Sequence, residues 1–542
     1  MESLALHDAG TVEQLEPSPD SKMQRNVVTT ILARTLYLVT RVAIPPFVLA
    51  HIGLDSYGIW TTAFILVGYL GTSTMGISNV YIKYVAQYSA QKEYRKANEL
   101  LSTGLSITLP FCSLLFGLLV WKWNLVSHWM NIPAVHAAES REAVLTVTAV
   151  FLSAIPMSVF VDTLSGVQAI STAQWIWVGS FLVETTLIFV LVGMGRGIRG
   201  MAEAFLARTV IDVGMSAFWI FRKLKWFRLS PRYISKSALR TIGHFGGMVQ
   251  LQSIAAILLQ SVERVAALQF IGVGAAGLLD LAKKWPASVS YIPSSFFSAM
   301  LPAASHLDAA GTQKDGGEQV RKFYLDGSRH VNLCTAYFCG LMALIPGAIM
   351  AVWLGKKLPF GAVLFSIFTI QLQFHMMTGP GTSIVRGLGR IYDEFYYAVP
   401  NVLFLVIILP LIRLYQGQWT PLGIGVGVGL STVFAAGVLL WRVHRVLGVR
   451  WSDYIRDVFL PGLASYVVGA LVALPTLRAV NSVSRIGGVA VLLVAGTIYS
   501  ALVALVYDRI LFHASERIYV RQTVQRVLRG LRARKVANEE SV

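Results

Sequence analysis

Two arginines, Arg34 and Arg41, stand seven residues apart in an apolar stretch near the start of the chain. At helical spacing this puts them two turns apart on one face. An arginine at the centre of a bilayer costs about 2.5–3.5 kcal/mol on insertion scales, so such a side chain faces water or a partner. Its planar fork of donors also suits phosphate oxygens. Both are candidate anion ligands, with the alternative for Arg34 that it snorkels to the inner surface. A second group is Asp280, Lys283 and Lys284, with bases three and four residues after an acid. That spacing fits either a self-neutralising helical pair or a lysine left over for an anion. Glu184 lies midway along an apolar run with no partner in its own helix, which suits proton coupling or pairing with an arginine from elsewhere. Asp162, Glu203 and Asp212 are further acids in apolar runs, and Arg208 is expected to be neutralised by Asp212 at i+4. His375, beside Gln371 and Gln373, titrates near neutrality, or forms a hydrogen-bonded spot between helices. Cys112, Cys334 and Cys339 lack metal-ligand spacing. The run Gly193-Met194-Gly195-Arg196-Gly197 lacks the preceding strand of a nucleotide loop. No metal, cofactor or enzymatic chemistry is expected.

The elements that hold these side chains must lie in lipid. Apolar residues make up 55% of the chain, charged residues 14%, and the mean hydropathy is +0.60. Soluble domains carry nearer a quarter charged residues. The net charge of +18 is spread in short clusters between apolar runs, which sets membrane orientation rather than binding nucleic acid. The expected fold is all-α and integral to the membrane, with about 14 transmembrane helices. The eighth span contains Pro286, Pro293 and Pro302 and is expected to bend or break. With both termini cytoplasmic, roughly 31 Lys and Arg fall inside and roughly 10 outside. A repeat also emerges. Ile52-Gly53-Leu54-Asp55-Ser56-Tyr57-Gly58-Ile59 resembles Ile271-Gly272-Val273-Gly274-Ala275-Ala276-Gly277-Leu278 at an offset of 219. Gly166-Val167-Gln168-Ala169-Ile170 can be laid on Ile384-Val385-Arg386-Gly387-Leu388 at 218. The repeat implies two six-helix lobes, helices 1–6 and 7–12, plus two C-terminal helices, which is a transporter plan. The corresponding divisions are a disordered cytoplasmic tail at 1–22, an N-lobe at 23–221, a basic cytoplasmic linker at 222–241, and a C-lobe at 242–443. Helices 13–14 occupy 444–510 and a basic tail 511–542. At helical spacing, residues 515–536 of that tail form a basic amphipathic helix suited to the anionic inner leaflet, or simply finish the topology signal.

The opening of the chain carries Pro45-Pro46-Phe47-Val48-Leu49, Ile52-Gly53, Tyr57-Gly58-Ile59-Trp60 and Met75-Gly76-Ile77. Val85-Ala86-Gln87-Tyr88 and Ala97-Asn98 follow. From Leu36 through Asn98 this resembles the polysaccharide-biosynthesis flippases of the multidrug/oligosaccharidyl-lipid/polysaccharide exporter superfamily. The resemblance implies fourteen helices, arginines on the first of them, and location in the bacterial inner membrane. It also implies flipping of undecaprenyl-diphosphate-linked oligosaccharides for exopolysaccharide, capsule or O-antigen synthesis, by alternating access. Expected partners are that polyprenyl-diphosphate-linked oligosaccharide, membrane lipid, and a polymerase and glycosyltransferases of the same pathway, with no nucleic acid. A diphosphate crossing hydrocarbon calls for a cationic, water-filled cavity. Arg34, Arg41, Lys283 and Lys284 are the expected cavity ligands, and Glu184, Asp280 and His375 the coupling candidates. Gln250, Gln252 and Gln260 suit sugar hydroxyls or helix contacts. Two other readings are open. A drug exporter of the same superfamily would stop at twelve helices and favour an acidic first helix. A membrane-embedded glycan polymerase or ligase would need a sizeable outer loop with catalytic residues, and the outer loops here are short.

Overall fold

The structure, a computed structural model, describes residues 19–71, 76–246, 261–310, 316–415, 417–512 and 517. Among them every regular element is helical. The first are α1 (Pro19–Gly71), α2 (Ile77–Ala90), α3 (Tyr94–Trp121) and α4 (Trp123–Trp129). Then come α5 (Ala137–Gly166), α6 (Ile170–Gly193), α7 (Gly197–Lys223) and the short α8 (Lys236–Thr241). Helical residues 261–270 make α9, followed by α10 (Val273–Val289), α11 (Tyr291–Ala310), α12 (Gly316–Met342) and α13 (Pro346–Leu354). The remainder are α14 (Gly361–Gly387), α15 (Phe395–Leu414), α16 (Thr420–Leu447), α17 (Trp451–Tyr454), α18 (Leu460–Asn481) and α19 (Arg485–Val506).

Ten helical stretches among the described residues are long and apolar enough to cross a membrane, and an eleventh is the pair α12–α13, bent by 70°. The expected fourteen differ in how they divide. The first two share the continuous run α1, and the seventh includes residues 247–260, outside the described set with Gln250, Gln252 and Gln260. The eighth is divided at Ser290, and its first half, α10, carries Asp280, Lys283 and Lys284. Pro293 enters at the third position of α11, in the first turn, where its missing N–H costs nothing. Of the two expected tails, residues 19–22 are helical and begin α1. Most of 511–542, including all of the expected amphipathic helix except Arg517, lies outside the described residues.

The outward faces of these helices are apolar. On α15, Val402, Leu403, Val406 and Ile407 are exposed while only Asn401 and Leu405 are buried. Long helices whose outward faces are apolar need lipid as solvent. The chain is a multi-pass integral membrane protein.

The repeat is visible in the backbone. α1 is two helices merged across Gly53, which has φ 77° and ψ 178°. Gly272, 219 residues later, takes φ 132° and ψ −177° before α10. Positive φ with extended ψ is open essentially to glycine alone. At the second repeat position the register moves. The C-terminal bonds of α5 (Val167 to Thr163, Gln168 to Ser165, Ala169 to Leu164) recur in α14 (Leu388 to Ile384, Gly389 to Arg386, Arg390 to Val385). That correspondence runs at 221 rather than 218, because the helix ends fix the register and the residue identities do not.

Two compact units emerge. The first draws on residues 1–44, 67–123 and 141–254, the second on 45–66, 124–140 and 255–542. The first unit holds a core of Tyr81, Val85, Leu100, Leu101, Val159 and Leu164. The second is built around Tyr324, Ile384, Val385, Leu439 and Val443. Within the second unit the elbow of α1 lies against α10. A Cβ added to Gly58 would overlap the Val273 carbonyl, and one added to Gly277 would stand 3.0 Å from Gly58 Cα and 3.2 Å from Leu54 O. Glycine at both places lets the backbones touch.

Candidate functional site

Each unit carries its own cluster of charged side chains. In the first, α6 and α7 form an antiparallel hairpin, with Glu184 twelve residues before Arg196 and Arg208 twelve after. Arg208 Nη1 donates to Glu184 Oε2 at 3.2 Å, and Arg41 Nη2 reaches the same oxygen at 3.5 Å. The Glu184 side chain is 3% exposed, against 27% for Arg41 and 18% for Arg208. The Arg41 guanidinium lies 4.8 Å over the Tyr37 ring. Tyr37 in turn packs on Trp177 and Phe181, so the arginine is steered by aromatic packing as well as by charge. Two arginines thus share one buried carboxylate oxygen within apolar helices, with Asp212 in electrostatic reach of Arg208. That arrangement suits an oxyanion.

Asp212 lies in electrostatic reach of Arg208, as expected, but it does not take the arginine's hydrogen bond. That bond crosses to Glu184, because two packed helices bring that carboxylate to the buried face. Glu184 is therefore an arginine-pairing residue here. Arg34 lies in α1, and its side chain is outside the described set. Glu203 pairs with Arg196 at the start of α7. Asp162 is buried, and its Oδ2 has no hydrogen-bond partner among the described residues.

In the second unit Asp280 is a hub. Arg264 Nη1 donates to its Oδ1 at 3.1 Å, while Lys284 Nζ and the Tyr57 hydroxyl donate to Oδ2 at 3.2 and 2.8 Å. Lys283 pairs with Glu263, whose side chain is fully buried. Among the described residues, three bases meet two acids in these ion pairs. The in-helix pairing of Asp280 with Lys284 is thus formed, whereas Lys283 turns to another helix. His375 Nδ1 lies 2.8 Å from the Tyr397 hydroxyl. Its neighbours also tie helices together, Gln371 donating to Thr432 and Gln373 to Asn332.

Sequence reading missed Glu263, Arg264 and Tyr57. A signal was present for Arg264. Arg264 lies eight residues before Gly272 and Asp280 eight after, so a tight helical hairpin turning at Gly272 puts them side by side. The same counting about Arg196 finds the Glu184–Arg208 pair.

No family model matches the sequence. Among curated proteins, the chain is 20% identical over 470 residues to the "Uncharacterized membrane protein EpsK" of Bacillus subtilis, covering 86% of this chain and 90% of that one. It is also 20% identical over 423 residues to a "Putative O-antigen transporter" of Shigella flexneri, covering 76% of this chain and 95% of that one. Among solved structures, it resembles the lipid II flippase MurJ in an inward closed conformation, with a TM-score of 0.64 and 11% identity, over 90% of this chain and 99% of that one. An inward-facing multidrug-resistance MATE transporter gives 0.59 at 15% identity, over 78% and 98%. The chain shares the all-helical membrane fold of these solved structures.

Proposed function

We propose that this chain is a flippase, a transporter and not an enzyme. It moves undecaprenyl-diphosphate-linked oligosaccharide units across the bacterial inner membrane by alternating access. The observation that carries the reading is Glu184, buried in the apolar bundle and holding Arg41 and Arg208 together. A buried acid that anchors two arginines positions their donors before an anion arrives, and a planar donor fork suits a diphosphate better than a cation. The surplus of bases around Asp280 in the second unit supports the same cargo sign. Similarity to a protein named as an O-antigen transporter over 95% of that protein's length supports the sugar-linked class. Clusters rich in arginine and lysine donors suit an anionic cargo better than a cationic drug, which disfavours the exporter reading.

The test is the leaflet location of the lipid-linked oligosaccharide in cells lacking the protein. It should accumulate on the cytoplasmic side, and the restored gene should reverse this. Arg41→Ala, expressed at the wild-type level, should cut delivery at least tenfold, with Arg41→Lys retaining part. Normal delivery followed by failed chain growth would overturn the flippase reading in favour of a polymerase or ligase.

A further inference from the structure

The linker from α7 to α8 is held in place by α3. Asn98 Nδ2 donates to Trp226 O at 2.8 Å, and its Oδ1 accepts from Arg228 N at 3.0 Å. Ser230 N donates to Ser102 Oγ at 3.3 Å, and Ser235 N to Thr103 Oγ1 at 3.0 Å. Asn98, Ser102 and Thr103 are all buried. Trp226 stacks on Tyr94, and Phe227 inserts into the core of the first unit. A segment pinned this way is not a loose charged loop.

Between this segment and the start of α3 lies an open cleft of about 440 Å³, floored by Asn98. Its walls are Arg95, Lys225, Arg228 and Arg232, with Trp226 and Tyr233. Arg95 pairs with Glu99 at 3.0 Å. Lys225, Arg228 and Arg232 have no acid within salt-bridge distance among the described residues. Topology accounts for a count of positive charges on this face, but not for their convergence. Arg222, Lys223 and Arg240 on the same segment serve orientation equally well from outside the cleft. Three exposed cations line one open concavity, where an anion could take donors from more than one of them. The flanking indole and phenol suit the headgroup level of a membrane.

We propose that this cleft is a binding site for a phosphate-bearing anion, separate from both buried clusters. Its ligand is the phosphate of a lipid head group at the linker's membrane face or a soluble diphosphate. Arg228 and Arg232 supply paired donors, Lys225 a point charge, and Trp226 the apolar wall.

The test uses the full chain in detergent with two probes, a short-chain phosphatidylglycerol and inorganic pyrophosphate, and reads the dissociation constant of each. Two variants remove the same charge: Lys225→Ala/Arg228→Ala/Arg232→Ala inside the cleft, and Arg222→Ala/Lys223→Ala/Arg240→Ala outside it. The cleft variant should bind at least tenfold more weakly, and the outside variant within about threefold of wild type. Saturable binding of phosphatidylglycerol alone assigns a lipid phosphate, and binding of pyrophosphate assigns the soluble source. Equal losses in the two variants would reduce the effect to net charge and overturn the proposal, as would wild-type protein binding neither probe. Should the cleft variant fail to fold, Asn98→Ala answers the same question without a change in charge. It frees the linker and should weaken binding, and an unchanged affinity in it would also overturn the site.

Discussion

At the scale of single residues, the protein's buried charges are held in groups whose members depend on one another. Glu263 is fully buried and its charge is met by Lys283. Lys283→Met leaves that carboxylate unpaired, at an expected cost of about 3–5 kcal/mol, and adding Glu263→Gln should return most of it. Thermal unfolding of the three proteins in one detergent would check this, and a double variant no better than the single one would contradict it. Glu184→Gln removes the charge between Arg41 and Arg208 and leaves two like charges adjacent. Transport should fall at least tenfold, read by leaflet delivery, even where expression is unchanged. Residue types in the sequence were enough to single out Arg41, Glu184, Asp280, Lys283 and Lys284. They were not enough to say which charges pair. Arg208 has an acid one turn away in Asp212, yet it bonds Glu184, since an acid on a facing helix shares the buried surface. Tyr57 left no sign at all, because an aromatic at an elbow reads as packing until its hydroxyl is seen on Asp280.

At the scale of elements, the elbows carry the clearest consequence. Gly58→Ala places a methyl into the Val273 carbonyl, with only backbone to yield. Gly277→Ala meets Gly58 Cα at 3.0 Å, a milder conflict. The first change should destabilise by about 1–3 kcal/mol or more and the second by less, an order that unfolding midpoints would test. The fold was legible here because glycine recurs where φ is positive, and Gly53 and Gly272 match at the offset of the repeat. The second match was misplaced by three residues, since Gln168 and Arg386 do not occupy equivalent turns; Gln168 corresponds to Gly389. Helix breaks were legible in part. Pro286 and Pro293 flag the interruption of the eighth span but not its position at Ser290.

At the scale of the whole molecule, hydropathy alone predicts a lipid-solvated bundle, and the exposed apolar faces of α15 and its neighbours agree with it. The distribution of Lys and Arg predicts both termini on the cytoplasmic side. A green fluorescent protein fused at the C-terminus should therefore fluoresce and an alkaline phosphatase fusion there should stay inactive; the opposite pair of results would reverse the orientation. The contact at Gly58 and Gly277 reaches further than its energy. Gly58 faces the carbonyl of Val273, and Gly277 that of Leu54, the residue 219 positions earlier. Exchanging the two halves of the chain maps this contact onto itself, which is the signature of an isologous interface between identical subunits. Such self-complementarity is what a two-fold axis imposes, so a change at either glycine acts on one and the same seam.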